Sequence, residues 1–534
     1  MIDVSENKGP MSLGLRLFLA AVLFLSSAGG LVVEIVAGRL IAPYVGMSLY
    51  TWTAIIAVVL AGLSVGHWIG GLMAGPGTGR RDAFGRLAGA LALAGASSLL
   101  ALVLLNDLAV GLLSSGLGQV AIVVVLTTAL FLLPSLFVGM VAPVVTKLSI
   151  DANPNRTGAV IGTMYAVGTV GSIFGTLSAG YLFISWIGSS GTLIAVTVLY
   201  GVLAIACALL AGRRPALIAA VSIIVLGLPL AGTGVARGAF SSRCTVESDY
   251  FCIVIDDFSP YSSRPSKLMV LDNLVHSIND KADPSLLYSP YIQFVDEYTR
   301  SRLADGPARR GLTAFFIGGG AYTLPRSWAA TIPRARLTVA EIDPVVTETA
   351  ARHMWVNPDH PAFDIRHQDA RALLQSLPEV PAFHVVFGDA FHDISIPTHL
   401  VSRAFNREVA TRLMPEGFYV LNVVDAATGP RLVASITATL KLDYDVVEVW
   451  TEDLSAAEGG PPNDRNTYVI VAGDKPSAGN VMRSVFGIER TWRQVPVNRI
   501  HAEAGGNPVI LTDDFAPVDR LISEGLFGAV KSSD

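Results

Sequence analysis

Gly318-Gly319-Gly320-Ala321-Tyr322-Thr323 follows directly on the apolar run 312–317. Glycines just past a strand allow a tight turn and let backbone approach a ligand closely. A second run, 337–341, ends in Glu341-Ile342-Asp343, about 20 residues downstream, the spacing at which an acid takes both ribose hydroxyls in nucleotide-binding folds. A third, 363–367, leads into Gln368-Asp369-Ala370-Arg371. An Asp there accepts from an adenine amino group, caps the following helix, or does both. A fourth, 384–388, ends in Gly388-Asp389-Ala390-Phe391-His392-Asp393. A carboxylate at the tip of a central parallel strand faces the crevice where such sheets bind ligands. Burial raises the pKa of such a group, and a neighbouring cation lowers it. The glycine loop lacks the later glycine of a dinucleotide fingerprint and no second phosphate motif follows, so NAD is disfavoured and no tightly bound cofactor or metal is expected.

These residues need strands to carry them. Further β-type runs at 252–255 and 267–271 precede them, and 418–424 and 468–472 follow, with helical patterns in most intervals from 290 onward. Strands alternating with helices predict a parallel, doubly wound α/β sheet of Rossmann-like type, behind a small β-hairpin subdomain. The predicted boundaries are a transmembrane helical domain over 1–235, a β-rich subdomain over 236–290 and a nucleoside-binding catalytic domain over 291–534.

The first 235 residues are of another kind. Only 13 Asp, Glu, Lys or Arg lie between residues 12 and 232, nine of them basic, whereas the chain after 235 has 37 acids against 28 bases. The whole chain is 15% charged, with a mean hydropathy of +0.52, where soluble chains carry about 25% charged residues. The acidic second half lacks the basic footprint of a nucleic-acid binder. Apolar runs of spanning length, about 20 residues, fall near 14–42, 50–74, 87–105, 119–145, 158–185, 188–210 and 215–232. The first is too long for a cleaved leader and holds Glu34 and Arg39 where small residues belong. Arg80, Arg81 and Arg86, then Lys147 and Arg156, then Arg213 and Arg214 sit in alternate loops, which assigns those loops to the cytoplasmic side. Glycines at 158–162 and 168–180 suit close helix packing. Glu34, Arg39 and His67 are intramembrane ionisable groups: Glu34 and Arg39 neutralise each other near one interface, or the groups mark a ligand. Cys207 reads as a core residue. Cys244 and Cys252 flank a turn-like stretch, and both a bridge and two free thiols fit that spacing.

The order of motifs, with Leu271-Asp272-Asn273-Leu274-Val275-His276 ahead of the glycine loop, Glu341-Ile342-Asp343, Asp369-Ala370 and Asp389, resembles the spermidine synthase (polyamine aminopropyltransferase) family over about residues 240–480. It is most similar to the bacterial branch fused behind a multi-span membrane region. The resemblance implies an aminopropyl transfer from an S-adenosyl donor, decarboxylated S-adenosylmethionine or S-adenosylmethionine itself, to an amine, with methylthioadenosine released. Glu341 would hold the ribose, Gly318, Gly319 and Gly320 would shape the thioether end, and Asp369 and Ala370 would meet the adenine. Asp389 would orient and deprotonate the amine, since an ammonium has no lone pair with which to attack. Asp272, His276, Tyr288, Tyr291, Tyr322, His392 and Asp393 are the acceptor-side candidates.

The departures from the family pattern take negative charge from the amine region. Ala321 stands where an acid is usual, His392 where a second Asp is usual (with Asp393 one further), and His276 replaces a glutamine. Rival readings are another transferase or a lyase on the same fold, and a transporter whose soluble domain senses the nucleoside. The implied partners are a small nucleoside, an amine, the lipid bilayer and a second copy of the chain, with no nucleic acid. The implied location is the bacterial inner membrane, multi-pass. An odd span count with basic loops inside carries the C-terminal domain outside, but a cytosolic nucleoside asks for the cytoplasmic face, and the cytoplasmic face is the expectation adopted.

Overall fold

The computed structural model describes residues 11–526 apart from 76, 213–220, 222–228, 230–231, 237, 239, 304–310, 392–394 and 454–464. The chain divides into two compact units, 1–243 and 244–534.

The first unit is helical: α1 (Leu13–Val45), α2 (Leu49–Met73), α3 (Arg80–Leu113), α4 (Gln119–Gly139), α5 (Val141–Ala152), α6 (Thr157–Ser178) and α7 (Ile184–Ala211). Ser12 and Ser48 cap α1 and α2 by accepting the amides of Leu15 and Thr51, which satisfies donors that a helix start leaves open. Among the described residues, five helical stretches are long and apolar enough to cross a membrane, the last running 58 residues over Pro154–Ala211. Gly188, at φ 70° and ψ 170°, breaks that stretch. The apolar run 215–232 lies mostly outside the described residues.

Glycines set the helix contacts, at positions the composition only partly disclosed. A methyl group on Gly62 would lie 2.8 Å from the Leu132 carbonyl oxygen, and one on Gly70 would lie 2.5 Å from that of Met140, so α2 crosses α4 at backbone contact. Gly171 and Gly175 press in the same way on Phe24 and Ala28 of α1, whereas Gly158, Gly162 and Gly180 have nothing within 4 Å. Replacing Gly66, which faces the Leu136 carbonyl, with alanine is expected to destabilise this unit by about 1–3 kcal/mol, the usual cost of overpacking. Thermal unfolding of the detergent-purified chain reads the loss. His67 lines a cavity of about 680 Å³ between helices, together with Lys147 and Tyr165.

The second unit begins with a four-stranded antiparallel sheet in sequence order: β1 (Val246–Glu247), β2 (Cys252–Asp257), β3 (Ser266–Leu271) and β4 (Leu274–Asp280). Val275 pairs with Val270 and Ser277 with Met269, so the backbone at His276 forms a bulge. The nine-stranded sheet contains β5 (Thr313–Ile317), β6 (Arg336–Ala340), β7 (Phe363–Arg366), β8 (Phe383–Gly388), β9 (Leu413–Ala426), β10 (Val446–Glu452), β11 (Arg465–Gly473), β12 (Val481–Arg483) and β13 (Thr491–Val495), in the order β12-β13-β10-β11-β9-β8-β5-β6-β7. Along β5, Ala314 and Phe316 enter one core, and Phe315 and Ile317 enter the other. Both faces are therefore buried, as the period-two alternation of a strand requires.

The expectation of a wholly parallel sheet needs correction. Strands β7, β6, β5, β8 and β9 are parallel, but β11, β10, β13 and β12 add on antiparallel. A parallel return needs a crossover of a dozen or more residues, and residues 484–490 between β12 and β13 are too few. The parallel part matters most for the site. From β5 the chain winds outward to β6 and β7, then returns to β8 on the other side of β5. The carboxyl ends of β5 and β8 thus border a topological switch point, where open α/β sheets bind ligands.

Candidate active site at the carboxyl ends of the central strands

Ile317 of β5 pairs with Gly388 of β8, so the glycine loop and Asp389 leave the sheet side by side. Gly318 sits at φ 95°, and a methyl group there would lie 2.8 Å from the Asp389 carbonyl oxygen. Glycine is required on both counts. A cavity of about 480 Å³ opens here, lined by Gly318, Gly320, Glu341, Asp369, Ala370 and Asp389. That volume falls within the usual range for small-molecule sites.

Glu341, at the end of β6, is 5% exposed. Its Oε2 accepts the amides of Gly319 at 2.8 Å and Gly320 at 3.3 Å, and its Oε1 accepts that of Asp343 at 3.0 Å. Burial raises its pKa, and these three amides oppose the rise without cancelling it. Asp369 does what an N-cap does, accepting the Ala372 amide at 2.9 Å, and also meets His399 Nε2 at 2.7 Å. Burial acts to raise its pKa, but the Ala372 amide and the His399 ring outweigh it and hold the carboxyl below its ordinary value.

Asp389 is the most perturbed acid in the cavity. Its Oδ1 accepts from the Asn422 amide at 2.8 Å and its Oδ2 from the Tyr291 hydroxyl at 3.1 Å. Burial pushes its pKa up to about 7, and the two hydrogen bonds only moderate the rise. Burial, followed by the adjacent Asp389 carboxyl, raises the Tyr291 phenol as well. A carboxyl poised near neutrality, held by two donors and facing a cavity, is equipped to accept a proton.

The remaining candidates divide. Tyr291 reaches Asp389. Asp272 does not line the cavity: it is buried in the β3–β4 turn at φ 52°, and its Oδ1 accepts the Cys252 amide at 2.9 Å. Tyr288 is drawn away to Asp280 Oδ2 at 3.1 Å, a carboxyl that also takes Arg264 at 2.8 Å. Tyr322 packs beneath the glycine loop, fully buried at φ 54°, with its hydroxyl 2.7 Å from Thr347 Oγ1. These three places are set by turn geometry and packing, which motif order does not encode. His392 and Asp393 lie outside the described residues, as does the side chain of His276. Ala321 is fully buried, and its carbonyl accepts from Asn279 Nδ2 at 2.9 Å.

Sequence reasoning missed Asn422, His399, and Tyr250 and Phe251, which form part of the cavity wall. Asn422 had a signal: a polar residue, 4% exposed, within the apolar run of β9. Buried polar residues are the informative exceptions in such runs.

No protein-family model matches the chain. Over 137 residues the chain is 28% identical to a polyamine aminopropyltransferase of Vibrio vulnificus, a match covering 26% of this chain and 44% of that one. Over 243 residues it is 26% identical to a probable polyamine aminopropyl transferase of Bifidobacterium longum, covering 42% of this chain and 52% of that one. The chain thus spans about half the length of these curated relatives. Among solved structures, a probable spermidine synthase from Corynebacterium glutamicum superposes on 49% of this chain and 94% of its own, with a TM-score of 0.41 and 22% identity. Over part of its length the chain is thus similar to polyamine aminopropyltransferases.

Proposed function

We propose that this chain is a membrane-bound aminopropyltransferase of spermidine synthase-like type. It moves the aminopropyl group of decarboxylated S-adenosylmethionine to an amine and releases methylthioadenosine. The observation that carries this reading is the convergence of Glu341 and Asp389 on one cavity at the switch point. Glu341 takes the ribose hydroxyls, Gly318 to Gly320 lie along the sulfonium side, and Asp369 and Ala370 border the adenine. Asp389 accepts a proton from the incoming ammonium, and the freed nitrogen lone pair attacks the carbon beside sulfur. The carbon–sulfur bond breaks, its electron pair neutralises the sulfonium, and the thioether nucleoside leaves. Tyr291 and Asn422 hold the carboxyl toward the reacting nitrogen.

Incubating the purified full chain with decarboxylated S-adenosylmethionine and a panel of amines should release methylthioadenosine only when an amine is present. Release without an acceptor, or with S-adenosylmethionine alone, would transfer the assignment to a lyase or another transferase on this fold. Buried Ala321 favours that second reading, since it puts no carboxylate beside the glycine loop for the donor's ammonium.

Asp369→Ala is expected to cost about 1 kcal/mol of stability through the lost cap. It should also weaken methylthioadenosine binding about tenfold through the lost adenine contact. Calorimetry together with thermal unfolding separates the two effects.

A further inference from the structure

Cys244 and Cys252 are joined in a disulfide, with Cα atoms 5.2 Å apart. The bridge closes a short loop at the start of the second unit, and that loop is tied to the nucleoside cavity at several points. Tyr250 and Phe251, just before Cys252, form part of its wall. Ser248 accepts the Phe251 amide at 2.8 Å and donates its hydroxyl to the Asp343 carboxylate. The Asp343 amide in turn donates to Glu341, the proposed ribose ligand, at 3.0 Å. Cys252 itself donates its amide to Asp272 Oδ1 and accepts the Asp272 amide at its carbonyl, both at 2.9 Å, beside the cavity residue Leu271. A reducing cytosol keeps thiols apart, whereas oxidising compartments keep such bridges closed.

The membrane half bears on the same question through its sequence. Its basic residues Arg80, Arg81 and Arg86, at the start of α3, and Lys147 and Arg156, in α5 and just past it, cluster at alternate helix ends, which assigns those ends to the cytoplasm. The 58-residue stretch Pro154–Ala211 would extend about 87 Å as one helix, twice the roughly 40–45 Å of a bilayer. Broken at Gly188, it supplies two crossings and brings the described total to six. By sequence alone, the apolar run 215–232 has the length for a seventh. An odd count starting inside ends outside.

We infer that the unit 244–534 works on the non-cytoplasmic face, with the Cys244–Cys252 bridge as a structural brace of its nucleoside wall. This reverses the cytoplasmic expectation, and the bracing half rests on the nucleoside reading of the cavity. A sulfonium nucleoside made in the cytosol then reaches this site only through a transport step.

Intact cells treated with a membrane-impermeant maleimide, followed by peptide mapping, test the orientation. The peptide holding Cys244 and Cys252 should stay unlabelled until an impermeant phosphine is added, and then label at both positions. Labelling that needs permeabilised cells but no reductant would overturn the proposal. A Cys244→Ser/Cys252→Ser chain carrying Tyr261→Cys, at a side chain 80% exposed, gives a second reporter. Its labelling in intact cells supports the proposal, and labelling only after permeabilisation sinks it. Neither readout depends on turnover, so an error in the proposed reaction would leave them unaffected. For the brace, reducing the purified full chain should weaken methylthioadenosine binding about fivefold, and an unchanged affinity would remove that role.

Discussion

Asp389→Asn is expected to lower methylthioadenosine release by about 10²–10⁴-fold, the span usual for a lost general base, while nucleoside affinity stays within about twofold. The substitution preserves shape, and an amide oxygen still accepts from Asn422, so the cavity should keep its form. What it removes is a proton acceptor. Wild-type kcat/KM should rise with pH through an inflection near 7, because burial holds Asp389 protonated below about that value and only the carboxylate can take a proton. Once an ammonium is bound beside it, the carboxylate is favoured, so the inflection in kcat should lie lower than that in kcat/KM. Stability carries the same sign. The folded pKa lies above the unfolded value of about 3.9, so this group's contribution is fully present below that pH and is lost as pH rises through about 7. The Asn variant, which has no charge to bury, should gain in melting temperature relative to wild type at pH 8 more than at pH 5. Full turnover in the variant would refute the mechanism.

The acids at strand tips were legible because each follows its own apolar run, and a parallel sheet gathers such tips without further information. Partners across the sheet were not. Tyr291 and Asp389 are 98 residues apart and Asn422 and Asp389 are 33 apart; only the strand order β9-β8-β5 makes them neighbours. Tyr322, next to the glycine loop in sequence, was an acceptor-side candidate. Its positive φ instead turns the ring under that loop into the core. His399 was hidden in a 3₁₀ turn over Thr398–Leu400, which has no periodicity to read. In the membrane half, apolar length disclosed the helices, but which glycines touch depends on helix rotation. Gly171 and Gly175 were visible as part of a small-residue run, whereas Gly62, Gly66 and Gly70 were absorbed into an ordinary apolar pattern.

Glu341→Ala should weaken methylthioadenosine binding by about 10–100-fold, because hydrogen bonds to a charged group contribute about 1.5–3 kcal/mol and the proposed binding mode sets two ribose hydroxyls against this carboxylate. The loss has two sources that a second variant separates. Glu341 also accepts the amides of Gly319 and Gly320, so truncation frees the glycine loop as well as removing the proposed ribose ligand. Glu341→Gln retains one acceptor oxygen for those amides but presents an NH₂ in place of the second. Its affinity should therefore fall between wild type and alanine, with the loop still held. Turnover at saturating donor distinguishes the contributions. A purely ribose-binding role leaves kcat near wild type in both variants, whereas a role in shaping the loop lowers kcat in alanine and spares it in glutamine. Because the wild-type carboxyl is buried and its pKa raised, its removal also relieves a desolvation cost, and the alanine chain should unfold within a few degrees of wild type. Unchanged affinity in both variants would mean that the nucleoside does not lie along β6 at all, and the cavity would need a different ligand.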